Sequence, residues 1–159
     1  MSNSISKSQI DRLGERIRNN DLEESDLLLL DSYRRSFAPA YETVITAVQQ
    51  KLTLYPTGRP AKTTRSITEK LRREHIRLSQ IQDIAGCRLV VRGLSEQDWV
   101  VENLGAIFDN RTVVDRRIKP SYGYRAVHVV VRTLDRVIEI QVRTDYNMHG
   151  LSSPRNSQI

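Results

Sequence analysis

The run from Val137 to Thr144 alternates strictly: Ile138, Ile140 and Val142 fall between Glu139, Gln141 and Arg143. Side chains on a β-strand change direction at every residue. The run therefore predicts a strand with one aliphatic face and one face carrying a carboxylate, an amide and a guanidinium. A solvated edge strand has the same pattern, so the meaning depends on the residues that accompany it. They are a Lys/Arg-rich stretch upstream, a single Asp before another strand, and a Tyr-Gly-Tyr turn. Together these point to a site that handles nucleotide phosphates.

The rest of the chain supplies a setting for that strand. A short helix is predicted around Ile10 to Ile17. Leu27, Leu30, Tyr33, Phe37, Tyr41, Val44, Val48 and Leu52 recur every three or four residues, which predicts one or two helices over 22–54, kinked or divided at Pro39. Such a face is ordinarily a packing surface without chemistry. Pro56 to Lys62 reads as a turn-rich connector. Ser66-x-x-Glu69 resembles a capping box, predicting a helix from Ser66 to about Leu78 with Ile67, Leu71 and Leu78 buried and Ser66, Lys70, Arg73 and Arg77 on another face. From Gly86 the period changes. Cys87–Arg92 reads as a strand, Gln97–Phe108 as a helix, and Thr112–Ile118, Tyr124–Arg132 and Val137–Arg143 as three further strands. A β-α-β-β-β order after an all-helical start implies one α/β domain of the mixed α+β kind. Its sheet should be mainly antiparallel, of about four or five strands, and flanked by helices.

Composition narrows the class. At 159 residues the chain suffices for one domain with a real core, and 38% hydrophobic with 28% charged residues suits a globular protein. No apolar run approaches the roughly 20 residues that span a bilayer, and the N-terminus lacks a signal-peptide apolar stretch, so a cytoplasmic protein with no membrane partner is expected. Cys87 is the single cysteine and cannot form an internal disulfide. A net charge of +6 favours polyanionic partners: nucleotides, nucleic acid or an acidic protein.

Three clusters carry the candidate chemistry. Between Arg59 and Arg77 lie seven Lys/Arg against two acids, Glu69 and Glu74, a density that suits a polyphosphate. The bland alternative is a solvated helix face with pairs such as Glu69 with Arg73. Asp83 precedes a strand, where a carboxylate can ligate Mg²⁺, with Glu139 on another strand as second ligand; a turn or cap role is the alternative. In Lys119-Pro-Ser-Tyr-Gly-Tyr-Arg-Ala-Val-His128, Gly123 permits a turn, and Tyr124 and His128 share a strand face. A Tyr there can stack on a purine and a His can bind phosphate or orient a carboxylate, although both are also ordinary half-buried strand residues. Neither a Walker-type Gly-rich loop nor a Ser/His/Asp or Cys/His nucleophile set occurs.

Taken in order, five motifs resemble the synthetase domain of RelA/SpoT-type alarmone synthetases, especially the small single-domain ones. They are Gly-Arg-Pro…Lys (58–62), Ser-Ile-x-x-Lys-Leu (66–71), Asp-Ile-Ala-Gly-x-Arg (83–88), Gly-Tyr-Arg-Ala-Val-His (123–128) and Glu-Ile-Gln-Val-Arg-Thr (139–144). The resemblance covers about residues 40–144 and implies a nucleotidyltransferase-like synthetase fold. It also implies transfer of the β,γ-pyrophosphate of ATP to the 3′-hydroxyl of GDP or GTP, with Mg²⁺ as cofactor. By motif, Arg59 would clamp the adenine, and Lys62, Lys70 and Arg88, with Ser66 beside them, would hold ATP. Asp83 would ligate the metal, and Glu139 would share it or take the proton from the attacking hydroxyl. Tyr124 would stack on the guanine, with Lys119, His128 and Gln141 supporting the acceptor.

Three departures qualify the match. One extra residue separates Arg59 from Lys62 compared with the long enzymes. The Pro-Ser-x-Gly-Tyr-Arg-Ala-Val-His form is more similar to the toxin branch, some of whose members modify the 3′ end of tRNA, which makes tRNA an alternative acceptor and an antitoxin or a second copy of the chain a further partner class. After the strand the family continues into a helix of the type Gln-His-x-Trp-Ala-x-Leu-Ser-Glu-Lys, whereas residues 146–159 show no helical period. One choice of synonymous codons for Tyr146 onward, read two nucleotides later, gives QHAWAQLSEKFSN. The expectation is a frameshift near residue 145, an aberrant tail over 145–159, an under-covered apolar face on 137–142, and a third reading: an inactive nucleotide-binding remnant.

Overall fold

In the computed structural model, which describes residues 4–117 and 125–145, the domain order is helical first and sheet second. Helix α1 (Lys7–Arg18) starts at Ser6, whose hydroxyl accepts from the Gln9 backbone N–H while the Gln9 side chain accepts from Ser6 N–H, a reciprocal capping box. Helices α2 (Glu24–Arg35) and α3 (Ala38–Leu52) divide the long apolar stripe, with Pro39 in the first turn of α3. A proline there costs no hydrogen bond, because the first N–H groups of a helix have no partner inside it. So Pro39 opens a helix and kinks none.

Helix α4 (Thr64–Glu74) is shorter than its pattern predicts and starts two residues earlier. Thr63, not Ser66, is the cap: its hydroxyl accepts from Ser66 N–H at 3.1 Å. His75 ends the helix in the left-handed region at φ 52°, so Leu78 and Arg77 lie beyond it, Leu78 opening a short 3₁₀ turn, Leu78–Gln80. Glu69 pairs with Arg65 at 3.1 Å, leaving Arg73 to approach Glu74 at 3.6 Å.

The sheet has the order β1-β2-β5-β4-β3, with β1 (Thr57–Arg59), β2 (Ala85–Val91), β3 (Arg111–Asp115), β4 (Ala126–Thr133) and β5 (Arg136–Thr144). Among the described residues only β2 and β5 pair in parallel; the other pairings are antiparallel, as expected of a mainly antiparallel sheet. β1 falls in the stretch that reads as a connector, because three residues are too few for a periodic signal. α5 (Leu94–Ile107) follows β2.

Both α3 and α5 pack against β5 and against each other. Beneath them Ile138, Ile140 and Val142 are fully buried, as are Val127, Val129 and Val131. The expectation of an under-covered apolar face on β5 is therefore wrong. The stripe on α3 and the buried side of α5 supply the cover, and they precede the strand in the chain. Gln97 of α5 is fully buried and donates to the Val142 carbonyl at 2.8 Å, pinning the helix to the end of β5. Among the described residues no helix is long and apolar enough to cross a membrane. Residues 146–159, on which the tail reading rests, lie outside the described residues.

The β4–β5 hairpin closes through Leu134 and Asp135, at φ 50° and 60°, between the paired residues Thr133 and Arg136. Two successive left-handed residues are the signature of a type I′ turn, for which Asn-Gly is preferred and a β-carbon is strained. Leu134→Asn with Asp135→Gly should therefore raise stability by about 1 kcal/mol, read as a higher urea midpoint with an unchanged slope.

Candidate active site

The site occupies the sheet face opposite α3 and α5. Laterally paired residues point to the same side, so register decides which side chains meet. Gly86 lies opposite Glu139 and Arg88 opposite Gln141 on one flank of β5; His128 lies opposite Gln141 on the other. β1 adds Arg59 opposite Gly86 and Thr57 opposite Arg88. Thr57, Gly58, Arg59, Gly86, Cys87, Arg88, Glu139 and Gln141 line a cleft of about 250 Å³.

Two carboxylates organise this face. Asp83, just before β2, accepts from Lys62 Nζ at 2.9 Å and from Lys70 Nζ at 3.1 Å, one ammonium on each oxygen. Arg59 Nη2 donates to the Asp83 backbone carbonyl at 3.2 Å. Burial pushes the Asp83 carboxyl up, but the hydrogen bonds and charges of Lys62 and Lys70 outweigh it and leave the group below its ordinary value. Glu139 accepts from Gln141 Nε2 at 3.0 Å and meets His128 Nδ1 at 3.3 Å. Burial raises Glu139 too, and His128 and Gln141 bring it back below its ordinary value, against a small upward push from the Asp83 charge. That push places the two carboxylates within electrostatic reach of each other. Cys87, buried beside Glu139, is pushed up to about 12, first by burial and then by the Glu139 charge, so it stays a neutral thiol.

Two glycines make the cleft possible. A β-carbon on Gly86 would sit 2.7 Å from the Glu139 carbonyl oxygen, and one on Gly58 would sit 1.5 Å from the Tyr41 hydroxyl. The motif glycines are thus places of close approach. Gly86 lets β2 lie against the Glu139 backbone; Gly58 lets the Tyr41 ring of α3 back the β1 turn. Sequence reading placed Tyr41 only on a packing stripe, and no local signal marks its second contact.

Of the residues singled out from sequence, Arg59, Lys62, Lys70 and Asp83 come together at one end of the face, and Glu139, Gln141 and His128 at its centre. Arg88 is exposed on the cleft wall. Ser66 stands apart from these contacts: its hydroxyl accepts from Thr63 Oγ1 at 2.9 Å in the first turn of α4. Lys119 and Tyr124 lie outside the described residues. Among the described residues no group of three or more His, Cys, Asp or Glu side chains could form a metal cage.

A family model described as the region found in RelA / SpoT proteins matches residues 58–154. The chain belongs to the RelA/SpoT family. In structure it is similar to small alarmone synthetase 1 from Bacillus subtilis, at 30% identity and a TM-score of 0.53, covering 80% of this chain and 78% of that one. It is also similar to smu.1046c from Streptococcus mutans UA159, at 27% identity and a TM-score of 0.54, covering 82% and 76%. The uncharacterized proteins Rv1366 of Mycobacterium tuberculosis and Mb1401 of Mycobacterium bovis are each 40% identical over 88 residues. That stretch is 53% of this chain but only 32% of theirs, so the chain spans about a third of those relatives. The mixed sheet and its flanking helices are those of a synthetase fold of this family.

Because Asp83 and Glu139 are both held below their ordinary values of 3.8 and 4.5, their contribution to stability is complete above about pH 4.5. It is lost as pH falls through their folded-state values. Asp83→Asn should destabilise the protein at pH 7 by leaving two ammonium groups uncompensated. That deficit should shrink steadily below pH 3.8, where wild-type Asp83 also loses its charge. Urea midpoints of the two proteins should stay apart from pH 7 to about pH 4.5 and draw together only as pH falls through the folded-state value of Asp83.

Proposed function

We propose that the chain is an ATP-dependent pyrophosphokinase that passes the β,γ-pyrophosphate of ATP to the ribose 3′-hydroxyl of GDP or GTP. The observation that carries this reading is a pair of partly buried carboxylates set among four cations: Arg59 and Arg88 line the cleft with Glu139, and Lys62 and Lys70 hold the Asp83 side chain, whose backbone carbonyl accepts from Arg59. Even with Glu74, 4.0 Å from Lys70, counted beside the two carboxylates, the four positive groups leave an excess that a polyphosphate would neutralise. Phosphoryl-type transfer needs little covalent help from the protein. It needs in-line positioning and stabilisation of charge on the phosphate oxygens.

In the proposed reaction the acceptor 3′-oxygen forms a bond to the β-phosphorus. The bond from that phosphorus to the α,β-bridging oxygen breaks, and AMP leaves with the electron pair. The hydroxyl proton passes to Glu139. His128 and Gln141 hold its carboxyl below the ordinary value against burial, which keeps the carboxylate ionised at neutral pH, and they fix its direction. Lys62 and Lys70 now rest on Asp83 and are the side chains that incoming phosphates would draw away. Arg59 and Arg88, both exposed at the cleft, would hold the outer ends of the donor.

Mg²⁺ is the cofactor this reading calls for. Asp83 and Glu139 are hard oxygen donors of the kind Mg²⁺ takes in ones or twos alongside phosphate oxygens, so the donor set fits an ion that arrives with its nucleotide. It would neutralise phosphate charge, and Asp83 and Glu139 are the residues that would hold it. Lys119 and Tyr124 are proposed on the acceptor side from their motif.

A second acceptor is favoured by one observation, the Pro-Ser-x-Gly-Tyr-Arg form at 120–125 together with the net charge of +6: the 3′ end of tRNA. Terminally labelled [γ-³²P]ATP, incubated with GDP, GTP or deacylated tRNA in turn, distinguishes the two. Label on a guanine nucleotide supports the first acceptor and label on tRNA the second; nucleotide binding without transfer marks an inactive remnant. Glu139→Gln is expected to lower transfer at least about 10²-fold while nucleotide affinity changes little. Transfer at the wild-type rate in that variant would remove Glu139 from the mechanism.

A further inference from the structure

A second cavity, of about 260 Å³, lies at the β4–β5 hairpin end of the sheet and shares no lining residue with the cleft of Arg59 and Glu139. Segments distant in the chain build it. Ile5 and Ile10 come from the start of α1, and Tyr33 and Phe37 from either side of the α2–α3 junction. Ser79 and Ile81 come from the 3₁₀ turn and its exit, and Val137 from β5. Ile10, Tyr33, Phe37 and Ile81 are buried, so the floor is apolar.

The mouth is charged. Lys7, Arg132 and Arg136 line it, together with Asp135. Lys7 and Arg132 are exposed, and among the described residues neither side chain makes an ion pair or a hydrogen bond. Arg136 is held in place: Nε donates to Ser36 Oγ and Nη1 to the Asp135 carbonyl, each at 3.0 Å. Its guanidinium lies over the Phe37 and Tyr33 rings, 5.4 and 5.8 Å from their centres. Nη2 remains to donate elsewhere.

Two carboxylates weigh against these three cations. Asp135 is on the rim. Asp11 lies near enough to act on the Tyr33 hydroxyl, which burial chiefly raises above its ordinary value, with Arg136 and Arg132 opposing the rise and Asp11 adding to it. Asp11 already accepts from the Ser79 N–H at 3.1 Å. The balance is one positive charge, which suits a monoanion and not a polyphosphate. One polar atom also lacks a partner inside. The Ser79 hydroxyl oxygen is buried with no hydrogen bond among the described residues. Buried hydroxyls are nearly always paired, and a ligand oxygen lodged beside this one would pair it.

We propose that this cavity binds a small organic monoanion: a carboxylate on an apolar body, the body against Ile5, Ile10 and Ile81 and the acid group among Lys7, Arg132 and Arg136. Ile81 and Val137 each stand two residues before a carboxylate of the other site, Asp83 and Glu139. Val137 also faces the same side of β5 as Glu139. A bound acid would thus rest against the two segments that carry those groups.

Amide ¹H–¹⁵N correlation spectra of the full chain, titrated with benzoate, hexanoate, hexanol, benzylammonium and inorganic phosphate, test the proposal. Benzoate, hexanoate or both should shift the amides of Ile10, Ser79, Ile81 and Val137 with a dissociation constant on the order of 1 mM. The tighter of the two tells whether the body is flat or linear. Hexanol and benzylammonium should bind at least about tenfold more weakly, and inorganic phosphate should leave these amides unmoved. Arg132→Glu and Lys7→Glu should each weaken carboxylate binding at least about fivefold. Both positions are exposed, and an acidic residue suits the first turn of α1, so both variants should give folded spectra. If Arg132→Glu unfolds, Lys7→Glu decides. No shift at the lining with either carboxylate up to about 20 mM would overturn the assignment. Equal binding by hexanol or phosphate would do the same, as would unchanged carboxylate affinity in a folded charge-reversed variant.

Discussion

The parallel pairing of β2 with β5 is the contact on which the site depends. β5 is the middle strand of the sheet, and its aliphatic side is sealed under α3 and α5. Burying each of Ile138, Ile140 and Val142 is worth about 1.5–3 kcal/mol. A slip of one residue would turn those side chains to solvent and drive Glu139 and Gln141 into the core. The hydrophobic side thus holds the register, and the register orients the chemistry. Gly86 leaves room for this pairing, because a β-carbon there would sit 2.7 Å from the Glu139 carbonyl oxygen.

Much of this was legible in the sequence because it rests on periodicity. The two-residue alternation of 137–144 correctly gave β5 and its faces. The three-to-four-residue spacing over 27–52 gave the apolar stripe that now covers the sheet. The ordered motifs led to the family. Asp83 and Glu139 were singled out by position alone, one before a strand and one on it, and the fold brings them within electrostatic reach.

What escaped the sequence is what depends on contacts between distant segments. Nothing around Lys62 or Lys70 says that both ammonium groups converge on Asp83, 21 and 13 residues away. The cap of α4 went to Thr63 because Ser and Thr both occur near its start, and local chemistry suits either. β1 was invisible because a strand that short is defined by its partner, Gly58 opposite Cys87, and not by its own pattern. The under-covered face was expected from the unusual tail, yet its cover comes from helices earlier in the chain.

The electrostatics of the site follow one logic on both carboxylates. Each is buried enough to be driven toward its neutral form, and each is kept ionised by neighbours bound to its oxygens. At Asp83 those neighbours are ammonium groups on flexible stems, which could turn from Asp83 to an incoming phosphate. At Glu139 they are an imidazole and an amide fixed by strand register, which have no such freedom. A polyanion entering the cleft would thus free Asp83 of its cations while leaving Glu139 oriented. The first carboxylate would become available to a metal that accompanies the phosphates. The second would keep its orientation, as the proposed acceptor of the hydroxyl proton requires. That difference in the mobility of their partners, more than any difference in acidity, would separate the roles of two otherwise similar groups in the proposed transfer.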